Sequence, residues 1–155
     1  MAHQFSMRRR VTFSETDLAG IMHFSNFFRW MEETEHAFYR SLGLSIHPLE
    51  HGHPQALVGW PRLKASAQYR APLQFGEEVD VELLVAELRT RAIRYAFRFW
   101  KLPEAAADRV LAASGELVVV AVQASPENGR MISTLIPEDF RTAIHAAPEE
   151  LLRQL

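Results

Sequence analysis

Between residues 14 and 30 the chain reads SETDLAGIMHFSNFFRW. A carboxylate, Asp17, stands just ahead of Gly20 and His23, and an aromatic-rich run opens directly afterwards at Phe24. A carboxylate so placed can take a proton from water or attack an electrophilic carbon itself. It can equally cap a turn or a helix start, a common employment of aspartate. Spacing alone leaves both readings open. His23 adds an imidazole, which titrates near neutrality and can orient water, protonate a leaving group or simply pack.

Three other groupings could do chemistry. His47, His51 and His53 bring three imidazoles into seven residues. Their spacing is not a helical i, i+4 pair, and no cysteine or obvious carboxylate set completes a metal cage, so an ordinary polar loop is expected and no metal. Arg89, Arg91, Arg94 and Arg98 form the densest basic group, in LRTRAIRYAFR. Alternation puts Arg94 and Arg98 on a solvated strand face. Glu32 and Glu33 read as a solvated helix face, within reach of Arg29 at i+3 and i+4.

The elements that must position these groups follow from periodicity. Val11 and Phe13, with Thr12 between, predict a first strand over residues 8–14 that ends at the acid. From Phe24 the step changes to three and four: Phe24, Phe27, Phe28, Met31, Thr34, Phe38 and Leu42 share one side, which predicts a helix of about five turns closed by Gly43. Four phenylalanines and Trp30 make that helix bulky, suited to lying on a wide sheet. After a loop over 45–61, alternation returns in Leu63, Ala65, Ala67 and Tyr69; in Val79, Val81, Leu83 and Val85; in Ile93, Tyr95, Phe97 and Phe99; and over 109–123. Short connections between these strands exclude a parallel array, which needs a crossover for each pair. The expected fold is α+β, a five-stranded antiparallel sheet with one dominant helix. Asn128-Gly129 marks a turn, and Pro137 and Pro148 suit the first turns of one or two closing helices.

With 155 residues, 48% hydrophobic and 23% charged, the chain has the profile of one compact domain over 1–155. A formal net charge of -2 builds in no global attraction to nucleic acid or membrane. The absence of cysteine removes disulfides, thiolate metal sites and cysteine nucleophiles. MAHQFSMRRRV has no apolar stretch after its arginines, and no apolar run approaches a membrane span, so a cytoplasmic, non-membrane protein is expected.

TFSETDLAGIMHFSNFFRWMEE and SAQYRAPLQFGEEVDVELLV, with the order of elements and IPEDF near the end, resemble the hotdog-fold acyl-CoA thioesterases, in the 4-hydroxybenzoyl-CoA thioesterase and YbgC-like branch. The likeness runs over roughly residues 8 to 144. It implies a hotdog fold, the sheet wrapped on the central helix, and hydrolysis of an acyl-CoA to a free acid and coenzyme A. By the same resemblance Asp17 is nucleophile or general base, the Phe24 backbone N–H polarises the carbonyl, and Gly20 lets the chain pass close to the ligand. His23 departs from the pattern, since some relatives carry an aromatic there and others a histidine one residue later. Arg89 and Arg91 match basic residues that hold the nucleotide phosphates of coenzyme A, and Phe27, Phe28 and Trp30 are candidate walls of the acyl pocket. No cofactor is implied, coenzyme A being part of the substrate. The implied partners are further copies of the chain, a homodimer or homotetramer with sites at the interface. A non-catalytic acyl-CoA or acyl-carrier-protein binding module on the same fold is the alternative. Hydratase motifs of the D-x-N-x-x-H and H-x-x-x-x-P-x-x-P-G types are absent. The acyl group, and the choice between a covalent anhydride and activated water, stay open.

Overall fold

Eleven elements follow one another in the computed structural model, which describes residues 2–46, 58–103 and 108–154. His47, His51 and His53 lie outside the described residues. Strand β1 (Gln4–Arg10) leads through a single 3-10 turn (Phe13–Glu15) to helix α1 (Asn26–Ser41). Then come β2 (Arg62–Tyr69), β3 (Glu78–Leu88), β4 (Ala92–Lys101), β5 (Val110–Val120), β6 (Val122–Ala124), β7 (Met131–Ser133), α2 (Glu138–Ala143) and α3 (Glu149–Arg153).

Five strands form one sheet in the order β1-β3-β4-β5-β2, each pair antiparallel. The alternation read from the sequence decides its inner face. Val79, Val81, Leu83 and Val85 on β3, and Ile93, Tyr95, Phe97 and Phe99 on β4, are all buried. Against them α1 lays Phe27, Trp30, Met31, Thr34, Phe38 and Tyr39. Each large apolar side chain so buried stabilises the fold by roughly 1.5–3 kcal/mol. Helix and sheet approach closely where Gly115 faces Met31: a Cβ at 115 would collide with the Met31 sulfur. Gly43, at φ +73°, ends the helix in the left-handed conformation. This is the expected α+β arrangement, a sheet wrapped on one central helix, the hotdog architecture.

Several local expectations are corrected. The first strand ends at Arg10, and Phe13 is 79% exposed in the 3-10 turn because Glu15 accepts the Thr12 N–H at 2.9 Å and folds the chain back on itself. The helix begins at Asn26, leaving Phe24 in the preceding turn and 61% exposed. Residues 109–123 are not one strand: Ala121 breaks the run, and β6 pairs with β7 across the Asn128-Gly129 turn as a separate hairpin. Pro137 and Pro148 occupy the N-cap positions of α2 and α3, one residue before the first turn. Glu32 and Glu33 pair with strand arginines, Glu32 with Arg62 at 3.3 Å and Glu33 with Arg9, and not with Arg29 as expected. Arg98 is 4% exposed, not solvated, because α3 lies over the outer sheet face. There Arg98 pairs with Glu82 at 3.5 Å and donates to the Leu151 carbonyl at 2.5 Å.

A carboxylate sits inside the core. Glu35, 1% exposed, accepts both arms of Arg62 at 2.9 and 3.0 Å. Burial pushes its carboxyl above the ordinary range, and Arg62 works against that shift. Nearby the hydroxyls of Tyr39 and Tyr95 bond to each other, and burial holds both phenols well above the usual tyrosine range.

Candidate active site

The chain between β1 and α1 turns on itself at Asp17. The Asp17 N–H donates to the Ile21 carbonyl at 2.9 Å, the Gly20 N–H returns to the Asp17 carbonyl at 3.0 Å, and Thr16 bridges Met22. Gly20, at φ +79°, supplies the left-handed residue this reversal requires. The returning limb is fastened to the segment before β3, where the Met22 N–H donates to the Leu73 carbonyl at 2.7 Å.

Asp17 is exposed, and one carboxylate oxygen accepts the Ala19 N–H at 2.8 Å. That is the turn-capping contact weighed from the sequence. The other oxygen has no partner among the described residues, so capping leaves basic capacity unused. Past the turn the His23 N–H donates to the Glu15 carbonyl at 2.8 Å, and the Asn26 N–H to the His23 carbonyl at 3.0 Å. Between them the Phe24 N–H meets no acceptor among the described residues. It lies in the turn just before α1, beside a helix start whose unpaired donors and positive dipole end favour developing negative charge.

Asp17 and Phe24 both line one cavity of about 370 Å³. Asp17 and Arg70 are its charged lining, and the rest is apolar or aromatic: Ile21, Met22, Phe24, Phe27, Tyr69, Ala71, Pro72 and Leu73. Phe27 forms the inner wall, buried and edge-on to Tyr69 and Phe99 at 5.0 and 5.1 Å between ring centres. The Tyr69 hydroxyl donates to the Phe24 carbonyl at 3.1 Å, which fixes the turn from the opposite side. Burial raises the Tyr69 phenol above its ordinary range, so it acts here as a neutral donor.

The structure thus brings together Asp17, Phe24 and Phe27 of the residues singled out by sequence, with Gly20 in the same turn. His23 borders it without lining the cavity: its ring stacks on Phe24 at 4.3 Å and its Nδ1 meets the Ser25 hydroxyl at 2.7 Å. Phe28 and Trp30 do not line this cavity. Trp30 is fully buried, with its indole N–H on Glu15 at 2.6 Å. Arg89 and Arg91 stand at the β3–β4 hairpin. Arg89 is held by Glu87 through two bonds of 2.9 Å, and Arg91 donates to the Ser133 carbonyl at 2.9 Å. Phe99 marks the cavity end of β4, so these arginines lie roughly 26 Å away along the strand at 3.3 Å per residue. Sequence reasoning missed Tyr69 and Arg70 as lining residues, although YRAP carried them, and missed Glu15, whose only signal was a carboxylate two residues before Asp17. No group of three or more His, Cys, Asp or Glu side chains that could hold a metal occurs among the described residues. No described helix is long and apolar enough to cross a membrane.

A family model described as the thioesterase-like superfamily matches residues 11–155. A 1,4-dihydroxy-2-naphthoyl-CoA hydrolase of Prochlorococcus marinus (strain MIT 9211) is 31% identical over 97 residues, 60% of this chain. The chain spans somewhat under two thirds of that relative's length, 64%. Among solved structures, a gentisyl-coenzyme A thioesterase superposes with a TM-score of 0.71 at 28% identity, covering 88% of this chain and 99% of the other. The 4-hydroxybenzoyl-CoA thioesterase of Pseudomonas sp. strain CBS-3 superposes with a TM-score of 0.79 over 92% of this chain and all of its own, 100%, and at 18% identity that likeness is one of fold.

Proposed function

The chain belongs to the thioesterase-like superfamily, and from that premise we propose that it hydrolyses an acyl-CoA thioester to a free carboxylic acid and coenzyme A. The observation that carries this reading is the cavity that Asp17 and Phe24 both line, the Phe24 N–H having no acceptor among the described residues. A thioester carbonyl entering between them presents its carbon to the carboxylate and its oxygen to the donor. Asp17 either attacks the carbon, expelling the thiolate and leaving a mixed anhydride that water opens, or removes a proton from the water that attacks. In both routes charge gathers on the carbonyl oxygen, where the Phe24 N–H and the helix start stabilise it. No cofactor enters beyond the coenzyme A of the substrate.

The acyl group is an aryl one. Phe24, Phe27, Tyr69 and Pro72 offer flat walls suited to an aromatic ring. The named hydrolase and both structural neighbours are named for hydroxyaryl thioesters, which supports the same class here. A thiol-release screen over benzoyl-, 4-hydroxybenzoyl-, naphthoyl-, hexanoyl- and palmitoyl-CoA tests both parts. Steady turnover, fastest with the aryl thioesters, is expected. Tight binding without thiol release would make the chain a binding module, and faster aliphatic turnover would overturn the aryl assignment.

The working unit is a homodimer joined through β2. This strand pairs with β5 on one edge and with no other described strand, and Leu63 and Tyr69 along it are 65% and 48% exposed. Pairing β2 antiparallel with that of a second copy would bring the partner's Arg89 and Arg91 to the same end of the joined sheet as the first copy's cavity. Coenzyme A phosphates would then meet those arginines while the thioester reaches Asp17. Sedimentation should give a dimer or a pair of dimers, and a fully active monomer would sink the shared site.

A further inference from the structure

Asp17 and Phe24 belong to different arms of the chain, and something must fix one against the other. Besides the Asp17–Ile21 bond and the Thr16–Met22 bridge at the turn itself, a second set of bonds converges on Glu15. Its backbone carbonyl accepts two donors from the far arm, the His23 N–H at 2.8 Å and the Asn26 side-chain amide at 2.8 Å. These residues flank Phe24 on either side. Its carboxylate accepts from both sides: the Thr12 N–H at 2.9 Å and hydroxyl at 2.8 Å from the near arm, and the Trp30 indole N–H at 2.6 Å from α1. Trp30 is fully buried on α1, and Arg9 lies 5.1 Å over its ring and 3.8 Å from Glu15. Burial alone would raise the Glu15 carboxyl, but the Thr12 and Trp30 donors with Arg9 outweigh it and hold the group ionised below its ordinary range.

We infer that Glu15 and Asn26 are positioning residues that set the separation between the Asp17 carboxylate and the Phe24 N–H. This rests on the proposed thioesterase reading of the same cavity. Glu15 stands two residues before Asp17, and its side chain ties that arm to the core of α1 through Trp30. Asn26 closes the loop by tying the first residue of α1 to the Glu15 backbone. Neither side chain lines the cavity, so neither touches substrate. A displacement of about 1 Å between reacting groups can cost on the order of 100-fold in rate, which is the lever such a clamp controls.

Asn26→Asp is the informative substitution. It keeps size and shape but turns the amide donor into an acceptor facing the Glu15 carbonyl. A carboxylate in the first helical turn interacts favourably with the dipole, so global stability is maintained. Glu15→Gln is the companion, since one amide oxygen cannot serve the donors that the carboxylate satisfies. Each variant is read for kcat, for KM on the best acyl-CoA, for thermal midpoint, and for hydrogen exchange at the His23 amide. The expected result is kcat lowered about 10- to 100-fold, KM within about 3-fold, an unchanged midpoint for Asn26→Asp, and faster His23 exchange. Wild-type kcat in Asn26→Asp overturns the inference, as does a kcat loss accompanied by an equal loss of stability and substrate affinity. Asp17→Asn measured alongside separates the two failures. If it is inactive while Asn26→Asp is fully active, only the positioning role falls; if it is fully active, the thioesterase reading of this carboxylate falls with it.

Discussion

Replacing Asp17 by Asn changes little that holds the turn. The Ala19 N–H, 2.8 Å from one carboxylate oxygen, finds the same acceptor in the amide oxygen. The backbone bonds to Ile21 and Gly20 do not involve the side chain. Because the residue is exposed and free of ion pairs among the described residues, the fold should change in stability by no more than about 0.5 kcal/mol. What disappears is the second oxygen, with its charge and basicity. Losing a positioned base or nucleophile costs roughly 100- to 10,000-fold, about 3–5 kcal/mol of barrier, while the Phe24 N–H and the apolar walls remain. The assay is continuous thiol release from the best acyl-CoA at saturation, with substrate affinity and thermal midpoint measured on the same preparation. The expected outcome is kcat at least about 100-fold lower, with affinity and midpoint close to those of the parent. Should Asp17→Asn turn over at near the parent rate, the contact to Ala19 would be the whole purpose of the residue and the proposed mechanism would be wrong.

If Arg89 and Arg91 hold coenzyme A phosphates as proposed, Arg89→Ala combined with Arg91→Ala should raise KM and weaken its dependence on salt, with kcat within several-fold, because such contacts would lie far from the thioester. An unchanged KM would confine both arginines to their contacts with Glu87 and Ser133. Arg62→Met strips the buried Glu35 of its counter-charge and should cost about 3–5 kcal/mol in urea unfolding at pH 8. The sign of its pH dependence follows from burial, which already raises the Glu35 carboxyl and is then unopposed by Arg62. A carboxyl raised in the folded state binds its proton there first, so the deficit should shrink as pH falls toward 5, and an equal deficit at both pH values would refute it.

The inner faces of β3 and β4 were legible because strict alternation of Val, Leu, Ile and aromatic residues admits one register on a buried face. The helix was legible for the same reason, with Gly43 as its end. What escaped were features decided by contacts distant in sequence. Val11 and Phe13 alternate like a strand, yet the capping of Thr12 by Glu15 turns the chain there and sends Phe13 outward. Arg98 and Glu35 look like solvated charges until α3 and Arg62 cover them. Leu63 and Tyr69 alternate as a buried face would, but β2 is one of the sheet's two edges and leaves them exposed in the single chain. Of the site, the acid and the aromatic helix start were readable as a local motif. The Tyr69 wall and the Glu15 clamp were not, because they arise only when the YRAP segment and Trp30 fold back against the turn.

Phe27 and Phe24 border the same cavity under opposite constraints, and this bears on how a substrate range could drift over generations. Phe27 is wedged between Tyr69 and Phe99 in the core. Enlarging the pocket there by Phe27→Ala would forfeit roughly 3–5 kcal/mol, a large part of what keeps a domain folded. In the proposed mechanism Phe24 lends the site only its backbone N–H, and its ring is 61% exposed. That ring can be exchanged for a larger, smaller or polar side chain without emptying the core and without removing the backbone donor. Lineages that acquire new acyl groups should therefore vary at 24 and hold 27, separating selectivity from foldability within three residues of chain.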